Sequence, residues 1–473
     1  AVGNNTEVSK RADGQPSARR RGTPRTLHNH TMTADTSKPQ SSTAQAPGRK
    51  PLSVRGRTLL LLVAGIGFLT VVLSWQKIHC WYAANRLTEL LGQVRIEEAV
   101  VVAGSYETSA QCPKVRLLSV QAYRQSGDLR AAETLLADSE SLIRNPERMA
   151  KERALIDARR GRLVAAETAV SRLLRDPDLD GRDVCEAFAI GFRLNRRLEE
   201  AALLLDAWKN DWPQDHRPFY HEGLMYQTLT NWTDAVTAYQ KAIDLNDDSL
   251  VSRVRLGECL NQLERGAEAE QQFRFVVDRE PENLEAWQGL AVASQQQGDN
   301  ISARSAFLSV LQRNPASFSA RLAIAEIDFD FDNKDTDKAE AAVTALLDVW
   351  PDDARSLYLQ SRIAVADGRQ NDAERILNQW KLADTEIQRL EADIQKLASD
   401  YGNIDLQVAI GAGMLRYYSR DMGQQYLAAA LQMQPGHKEA TVALADFESR
   451  SKRLEALPLP AATTSANSVN TMR

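Results

Sequence analysis

Histidine is scarce in this chain, with six among 473 residues. Catalytic and metal centres need titratable or nucleophilic groups clustered in one pocket. The densest group here is His216, His221 and Glu222, and its order is not the two-histidine helix motif of a zinc protease. A glycine-rich phosphate-binding loop is also missing from the sequence. We therefore predict a protein that is not an enzyme and that has no cofactor and no metal.

Cysteine is equally rare, and its four positions are far apart: Cys80, Cys112, Cys185 and Cys259. This spacing is too scattered for a metal knuckle or a disulfide framework. Cys185 and Cys259 fall within predicted helices, where a thiol packs as a small core residue. The cysteines therefore give no indication of the compartment.

One acidic run stands out, at Asp328, Asp330, Asp332, Asn333, Asp335 and Asp337. Clustered carboxylates suit calcium, which leaves a calcium loop as an alternative. An EF-hand loop has a central glycine and a terminal glutamate, where this chain has Asn333 and Ala339. A solvated loop before a helix is the favoured interpretation.

Alanine recurs through the middle of the chain at an almost constant interval. The spacing is about 34 residues, with one step longer by one and another longer by two, over Ala132, Ala166, Ala201, Ala235, Ala269, Ala303, Ala339 and Ala373. Most of these alanines have a small residue twelve positions earlier and all have an apolar residue four positions later, as Ala235 has Gly223 and Tyr239. Because apolar spacings of three, four and seven are helical, each unit is predicted to be helix, turn, helix. Stacked copies of one unit are expected, without a single globular core.

Two stretches of these units resemble a known family. Their residues follow the signature of the tetratricopeptide repeat, first at Phe219, Gly223, Tyr226, Ala235, Tyr239 and Ala242, then at Trp287, Leu290, Ala303, Phe307 and Pro315. The resemblance extends over about residues 113 to 383, with departures at Val120 and Ser139 in the first copy. It implies an all-α, right-handed superhelical solenoid of helix-turn-helix repeats, to which this chain adds a preceding transmembrane helix.

The resemblance also implies a site, because the first helices of such repeats line a concave groove that holds peptides or proteins. By repeat phase, the groove-facing residues are Lys114, Gln121, Arg124, Arg148, Lys151, Arg159, Arg193, Tyr220, Gln227, Glu258, Asn261, Gln288 and Gln295. The early members are basic, which indicates an acidic partner segment bound partly by charge. The alternative is that these charges are an ordinary solvated face.

The N-terminal part differs in composition from the repeats. Residues 1 to 57 hold eleven Lys or Arg and three acids, whereas the whole chain has a net charge of -5. This tail is rich in Ser, Thr, Gly and Pro, so it is predicted to be disordered. It lacks aromatic residues between its charges, so we favour a topology signal and predict no nucleic-acid binding.

A run of eighteen residues without charge follows, from Thr58 to Trp75. As a helix it would be roughly 27 Å long, enough to cross a hydrocarbon core. Arg55 and Arg57 precede it, and Trp81 and Tyr82 follow at the expected far interface. The prediction is a single-pass membrane protein with a cytoplasmic N-terminus and the repeats on the opposite side, which is the periplasm if the protein is bacterial.

These observations predict a division of the chain. The predicted parts are a disordered basic tail at 1–57, a transmembrane helix at 58–75 or extending to 82, a linker or degenerate first helices at 83–112, eight repeats at 113–383, an extra helix at 384–400, a degenerate repeat at 401–437, a capping helix at 438–456 and a disordered tail at 457–473. The predicted function is a membrane-anchored scaffold for partner proteins or peptides. The alternatives are an assembly factor for envelope polysaccharide export or cytochrome biogenesis, and an enzyme with a site in residues 384 to 435.

Overall fold

The computed structural model describes residue 75 and residues 77–92, 95–106, 112–143, 145–176, 179–331, 336–400, 402–434 and 436–461. Every regular element in these ranges is a helix, and they contain no strand. The chain divides into residues 1–76 and residues 77–473, and the second unit holds all the helical hairpins. The predicted all-α class with stacked helical repeats is confirmed.

Eight hairpins follow one another between residues 113 and 399, and we call their first and second helices A and B. The A helices are α3 (Pro113–Ser126), α5 (Pro146–Arg159), α8 (Gly181–Leu194), α10 (Arg217–Thr228), α12 (Leu250–Gln262), α14 (Leu284–Gln296), α16 (Phe318–Phe331) and α18 (Ala354–Ala366). Seven B helices are α4 (Leu129–Asp138), α9 (Leu198–Asp211), α11 (Trp232–Leu245), α13 (Gly266–Arg279), α15 (Asn300–Arg313), α17 (Thr336–Val349) and α19 (Gln370–Ser399). The second hairpin has a broken B helix, made of α6 (Leu163–Ala166), a 3-10 turn (Glu167–Ala169) and α7 (Val170–Leu173).

Two smaller parts flank the eight hairpins. A helix at 77–92, which we call α1, and α2 (Ile96–Ser105) precede them. The hairpin of α20 (Ile404–Tyr417) and α21 (Arg420–Met433) and the single helix α22 (Lys438–Glu455) follow them.

In the seven hairpins whose turns the structure describes, the turn has a left-handed residue five positions before the repeat alanine. Gly127, Gly298 and Gly368 occupy this position with φ of 89°, 73° and 72°. Where glycine is absent, a residue with a side chain takes the same conformation, as Thr230 and Glu264 do with φ of 55° and 58°. The repeat geometry therefore overrides the usual cost of a positive φ for non-glycine residues.

The repeat alanines lie at the contact between the A and B helices. Ala235, Ala269 and Ala303 are fully buried. A Cβ added to Gly223 would lie 2.5 Å from Cε1 of Tyr239, so only glycine leaves room for this ring. The small and large residues that recur in the sequence therefore pack against each other where the A and B helices meet.

Helix α19 differs from the predicted arrangement because it continues without a break from Gln370 to Ser399. The predicted extra helix at 384–400 is thus the extension of the eighth B helix. In this extension, Leu390 and Leu397 pack on Ile410 and Met414 of α20. The apolar face of α19 therefore continues for about four turns beyond the eighth repeat.

The C-terminal helix packs back on the seventh hairpin. Arg450 Nη1 donates to the Val349 carbonyl and Arg453 Nη2 to the Asp348 carbonyl, each at 2.8 Å, so both satisfy the free end of α17. Arg321 on α16 donates to the carbonyls of Leu457 and Pro458 at 3.0 Å. These contacts hold residues 457 and 458 in place, although the sequence predicts disorder from residue 457, and residues 462–473 lie outside the described ranges.

A disulfide near the first described helices was not predicted from the sequence. Cys80 and Cys112 form a disulfide with their Cα atoms 5.8 Å apart, which joins α1 to the N-cap of α3. The prediction that the cysteines are too scattered for a disulfide is wrong for this pair. Cys185 and Cys259 are free and buried, as predicted, and burial raises the pKa of each thiol to about 12.

The predicted membrane segment lies outside the described residues, apart from Trp75. Within the described ranges, no helix combines the length and the apolar character that a membrane crossing requires.

Candidate functional site

A buried ion-pair network connects the A helices of the first three hairpins. Arg124 of α3 donates from Nη1 and Nη2 to the two carboxylate oxygens of Asp183 of α8, at 2.8 and 2.7 Å. Its Nε donates to Glu152 of α5 at 3.2 Å. The Arg124 guanidinium is 0% exposed, so both acids are needed to compensate its buried charge.

A second network is centred on Glu186 of α8. Arg159 of α5 lies 3.0 Å from one of its oxygens and Arg217 of α10 lies 3.3 Å from the other. His221 Nε2 is 3.8 Å from the first oxygen. Three successive A helices are thereby joined by side-chain charges.

Both central acids have a lowered pKa. Burial raises the pKa of Asp183, but the Arg124 guanidinium outweighs burial and the net shift is downward. For Glu186 burial again acts upward and is outweighed by Arg159, His221 and Arg217, so its pKa lies well below the usual range. Both carboxylates are therefore charged at neutral pH.

The predicted basic face of the early hairpins is largely neutralised by these contacts. Arg124 is enclosed, and Arg159 is buried and also donates to the Arg124 carbonyl at 2.9 Å. Lys151 forms an ion pair with Asp176, and Arg148 lies 3.6 Å from Glu152. This corrects our interpretation of Arg124 and Arg159, which bind within the chain and are not accessible to a partner.

The next hairpins bring other predicted residues together. Burial lowers the pKa of Arg193, while Tyr220 and Tyr239 act in the opposite direction and Arg255 lowers it further. The rings of Tyr220 and Tyr239 are 5.9 Å apart, and the Tyr239 hydroxyl donates to Gln227 Oε1. Glu258 also belongs to this cluster, because both its oxygens accept from Arg255 Nη1 at 2.8 Å.

A column of polar side chains follows the repeat along the A helices. We call Arg193, Gln227, Asn261 and Gln295 the A-helix column, since each lies one repeat after the last and all are half-buried. Asn261 Nδ2 donates to the Gly289 carbonyl at 3.0 Å, whereas its Oδ1 has no hydrogen-bond partner in the described part of the chain. The column presents one charged group followed by amide groups at repeat spacing.

The remaining predicted residues lie apart from this column. Lys114 is exposed and Gln121 is half-buried, both on α3. Gln288 lines a cavity of about 490 Å³ with residues of α16, α21 and α22. These residues do not form one site with the Arg193 cluster.

The described residues contain no group of His, Cys, Asp or Glu arranged to hold a metal ion. Asp328, from the acidic run, is buried and pairs with Arg304 at 2.7 Å and Lys338 at 3.0 Å. Residues 332–335 of that run lie outside the described ranges.

Sequence reasoning missed the acids and one arginine of these networks. A signal for two acids was present, because Glu152 and Glu186 are one repeat apart and so share a repeat position. Asp183 and Arg255 have no such regularity, and their roles follow only from the packing of neighbouring helices.

Helical hairpins that stack at a nearly constant period and present a polar face from their A helices define a helical-repeat solenoid. A family model described as Tetratricopeptide repeat matches residues 220–281, 262–318 and 330–386. The chain therefore contains tetratricopeptide repeats, as the resemblance predicted.

Similar proteins match only part of the chain. Tetratricopeptide repeat protein 7A of Homo sapiens is 29% identical over 126 residues, which is 27% of this chain and 15% of that protein. Tetratricopeptide repeat protein 7B of Homo sapiens is 28% identical over 118 residues, or 25% of this chain and 14% of that protein. The chain thus spans about a seventh of the length of these curated relatives.

Two solved structures match part of the chain at low identity. A tetratricopeptide repeat protein from Parabacteroides merdae is 14% identical and covers 63% of this chain and 97% of its own, with a TM-score of 0.37. MamA from Desulfovibrio magneticus RS-1 is 18% identical and covers 36% of this chain and 95% of its own, with a TM-score of 0.34.

Proposed function

We propose that this protein is a membrane-anchored scaffold that binds partner proteins or peptides along the A-helix column. The observation that carries the proposal is the column itself, because the half-buried amide side chains of Gln227, Asn261 and Gln295 recur at a fixed interval along the A helices while the apolar residues pack between the helices. Amide side chains at regular spacing suit an extended polypeptide, which offers hydrogen-bonding groups at regular spacing too.

The use of titratable groups also favours binding over catalysis. Asp183 and Glu186 are held in ion pairs by the buried Arg124 and Arg159. Groups compensated in this way stabilise the repeat stack and are not available to transfer protons to a substrate.

Two observations support an anchor with the repeats on the non-cytoplasmic side. The uncharged run at 58–75 is long enough to span a bilayer, and Trp81 and Tyr82 behind it are 66% and 63% exposed. The disulfide between Cys80 and Cys112 suits an oxidising compartment, because cytosolic thiols are kept reduced.

Site-specific photo-cross-linking in native membranes tests this function. A photoreactive phenylalanine derivative replaces Gln227 or Gln295 in the full chain, and a matched variant carries it at Gln271, an exposed residue of α13 on the B-helix side. We expect discrete cross-linked partners from the two column positions and none from Gln271. Equal cross-linking from all three positions, or none from the column, contradicts the proposal.

A further inference from the structure

We propose that a cavity near the C-terminal end of the stack binds a small organic acid through its carboxylate. The cavity has a volume of about 490 Å³ and lies between the first turns of the seventh and eighth hairpins and helices α21 and α22. Ligand sites in proteins have volumes of this size. In the described wall the A-helix column contributes no residue, so the inference is independent of the proposed function.

Three helices begin at the wall of this cavity. Ser317, Asp353 and Ser419 line it, and they directly precede the first residues of α16, α18 and α21. The N-terminus of a helix carries a partial positive charge, and its first backbone N–H groups have no partner within the helix. Three such ends around one space favour a negatively charged ligand there.

The second observation is a set of buried donors without acceptors. Arg420 is 8% exposed, and its Nη1 donates to Asp353 and to the Tyr418 carbonyl. Its Nε and Nη2 have no hydrogen-bond partner in the described ranges, and the same is true of Nε1 of Trp350, which is 3% exposed. Both side chains line the cavity. Because buried donors are almost always satisfied in proteins, these three indicate an acceptor that a ligand supplies.

Measured contacts hold the two side chains together. The Arg420 Cζ atom is 4.0 Å from the centre of the Phe318 ring and 4.8 Å from the centre of the Trp350 ring. The Phe447 ring of α22 lies 6.2 Å from the Trp350 ring. These aromatic rings restrict the orientation of the guanidinium, so the edge formed by Nε and Nη2 is fixed before a ligand binds.

Asp353 only partly compensates the buried Arg420 cation. Burial is the main cause that lowers the pKa of Arg420, and Asp353 acts against burial without reversing the shift. Arg124 shows the contrast, because its two acids raise its pKa above the usual value although the side chain is fully buried. A further negative charge beside Arg420 therefore stabilises the folded chain.

The wall also determines which anion fits. The Nε and Nη2 edge of an arginine matches the two oxygens of a carboxylate or a phosphate. Asp353 and the exposed Asp421 both line the cavity and repel a second negative charge, which favours a carboxylate over a phosphate dianion. Apolar side chains form another part of the wall, at Phe318, Leu322, Phe447 and Leu454. The ligand class is therefore a monocarboxylic acid with an apolar body.

Benzoate is the probe, and benzamide is an uncharged counterpart of nearly the same shape. Ligand-observed NMR titrations with the full chain in detergent give both affinities, and phenyl phosphate is titrated in parallel. We expect benzoate to bind about tenfold more tightly than benzamide, which is the effect of one charged hydrogen-bonded pair, and phenyl phosphate to bind more weakly than benzoate. Equal affinity of benzoate and benzamide, tighter binding of phenyl phosphate, or no binding of benzoate at millimolar concentration overturns the inference.

Trp350→Phe identifies the site, because it removes the indole donor and keeps an aromatic ring. We expect it to weaken benzoate binding about tenfold. Trp287→Phe is the matched control, because Trp287 donates from Nε1 to the Pro281 carbonyl at 2.7 Å and is not among the residues that line the cavity. It should leave benzoate affinity unchanged. Equal affinity of Trp350→Phe and the unsubstituted chain would mean that benzoate binds elsewhere, and the inference would be wrong.

A thermal measurement separates loss of the donor from loss of packing, because Trp350→Phe also removes volume from the core. Each variant is melted with and without benzoate, so its own change in stability cancels. Benzoate should raise the Tm of the unsubstituted chain and of Trp287→Phe, and should raise that of Trp350→Phe less. An equal rise in all three proteins contradicts a ligand contact at Trp350.

Arg420→Lys is a second variant, which keeps a cation beside Asp353 and removes the edge with two nitrogens. It should lose the preference for benzoate over benzamide. A preference as large as in the unsubstituted chain would show that the carboxylate does not bind at Arg420 and would overturn the inference.

Discussion

Arg124 and Asp183 are 59 residues apart in sequence, and each terminal nitrogen of the arginine donates to a separate oxygen of the aspartate. The pair connects the first and third A helices, and Glu152 of the second lies against the same guanidinium at 3.2 Å. In a solenoid most contacts join adjacent repeats. A buried pair that reaches across a repeat therefore fixes the relative placement of three hairpins at once.

Removing one partner of this pair should be strongly destabilising. Asp183→Asn leaves the enclosed Arg124 cation with Glu152 alone, and we expect the free energy of unfolding to fall by about 3 kcal/mol. Urea denaturation followed by circular dichroism measures the change. Asp206→Asn is the control, because Asp206 forms an exposed pair with Lys209 and its loss should cost less than about 1 kcal/mol. Similar losses in both variants would contradict a specific role for the buried pair.

The same acids predict a dependence of stability on pH. The pKa of Asp183 and that of Glu186 are lowered by folding from ordinary values of 3.8 and 4.5. As the pH falls, the unfolded chain therefore binds more protons than the folded chain. The stabilisation that the two charged carboxylates give the folded state is complete above about pH 5 and is lost as the pH falls. We expect urea midpoints to drop steeply between pH 5 and pH 3, and less steeply in Asp183→Asn. An equal slope in both proteins would refute this assignment.

The fold followed from the sequence because its signals are local and repeated. Ala235 and Ala269, Gly223 beside Tyr239, and the left-handed Gly298 each report a contact within one hairpin or its neighbour, so a period in the sequence becomes a period in space.

The candidate site followed only in part, because charge compensation is not periodic. Arg159 and Arg193 occupy the same repeat position, yet the next A helix has Glu186 beside Arg159 and has Tyr220 at the equivalent position for Arg193. Repeat phase alone leads to the same prediction for both residues. What distinguishes them is the side chain that the next A helix presents, and that depends on packing.

The repeat alanines predict a sharp size limit. Ala269 on α13 is fully buried, and Ala267 two positions away on the same helix is exposed. Ala269→Leu should overpack the contact with the A helix and lower the free energy of unfolding by about 1–3 kcal/mol. Ala267→Leu adds the same atoms on the solvent side and should change it by less than about 0.5 kcal/mol. The urea midpoints of the two variants test this difference. Equal midpoints would mean that the contact between the A and B helices can rearrange to hold the larger side chain.

The disulfide predicts the state of the cysteines in the cell. If the repeats lie in an oxidising compartment, Cys80 and Cys112 are paired and only Cys185 and Cys259 are free. Native membranes are dissolved in denaturant that contains iodoacetamide, and intact-mass spectrometry counts the modified cysteines. We expect two per chain, and four after reduction.

The double variant Cys80→Ser/Cys112→Ser is the matched control and should give two modified cysteines with or without reduction. Closing a loop with a sequence separation of 32 residues removes about 3.5 kcal/mol of unfolded-state entropy in the loop model. The variant should therefore melt at lower temperature than the oxidised chain and at the same temperature as the reduced one. Four modified cysteines in chains taken directly from membranes would place the repeats in a reducing compartment, and the proposed topology would then be inverted.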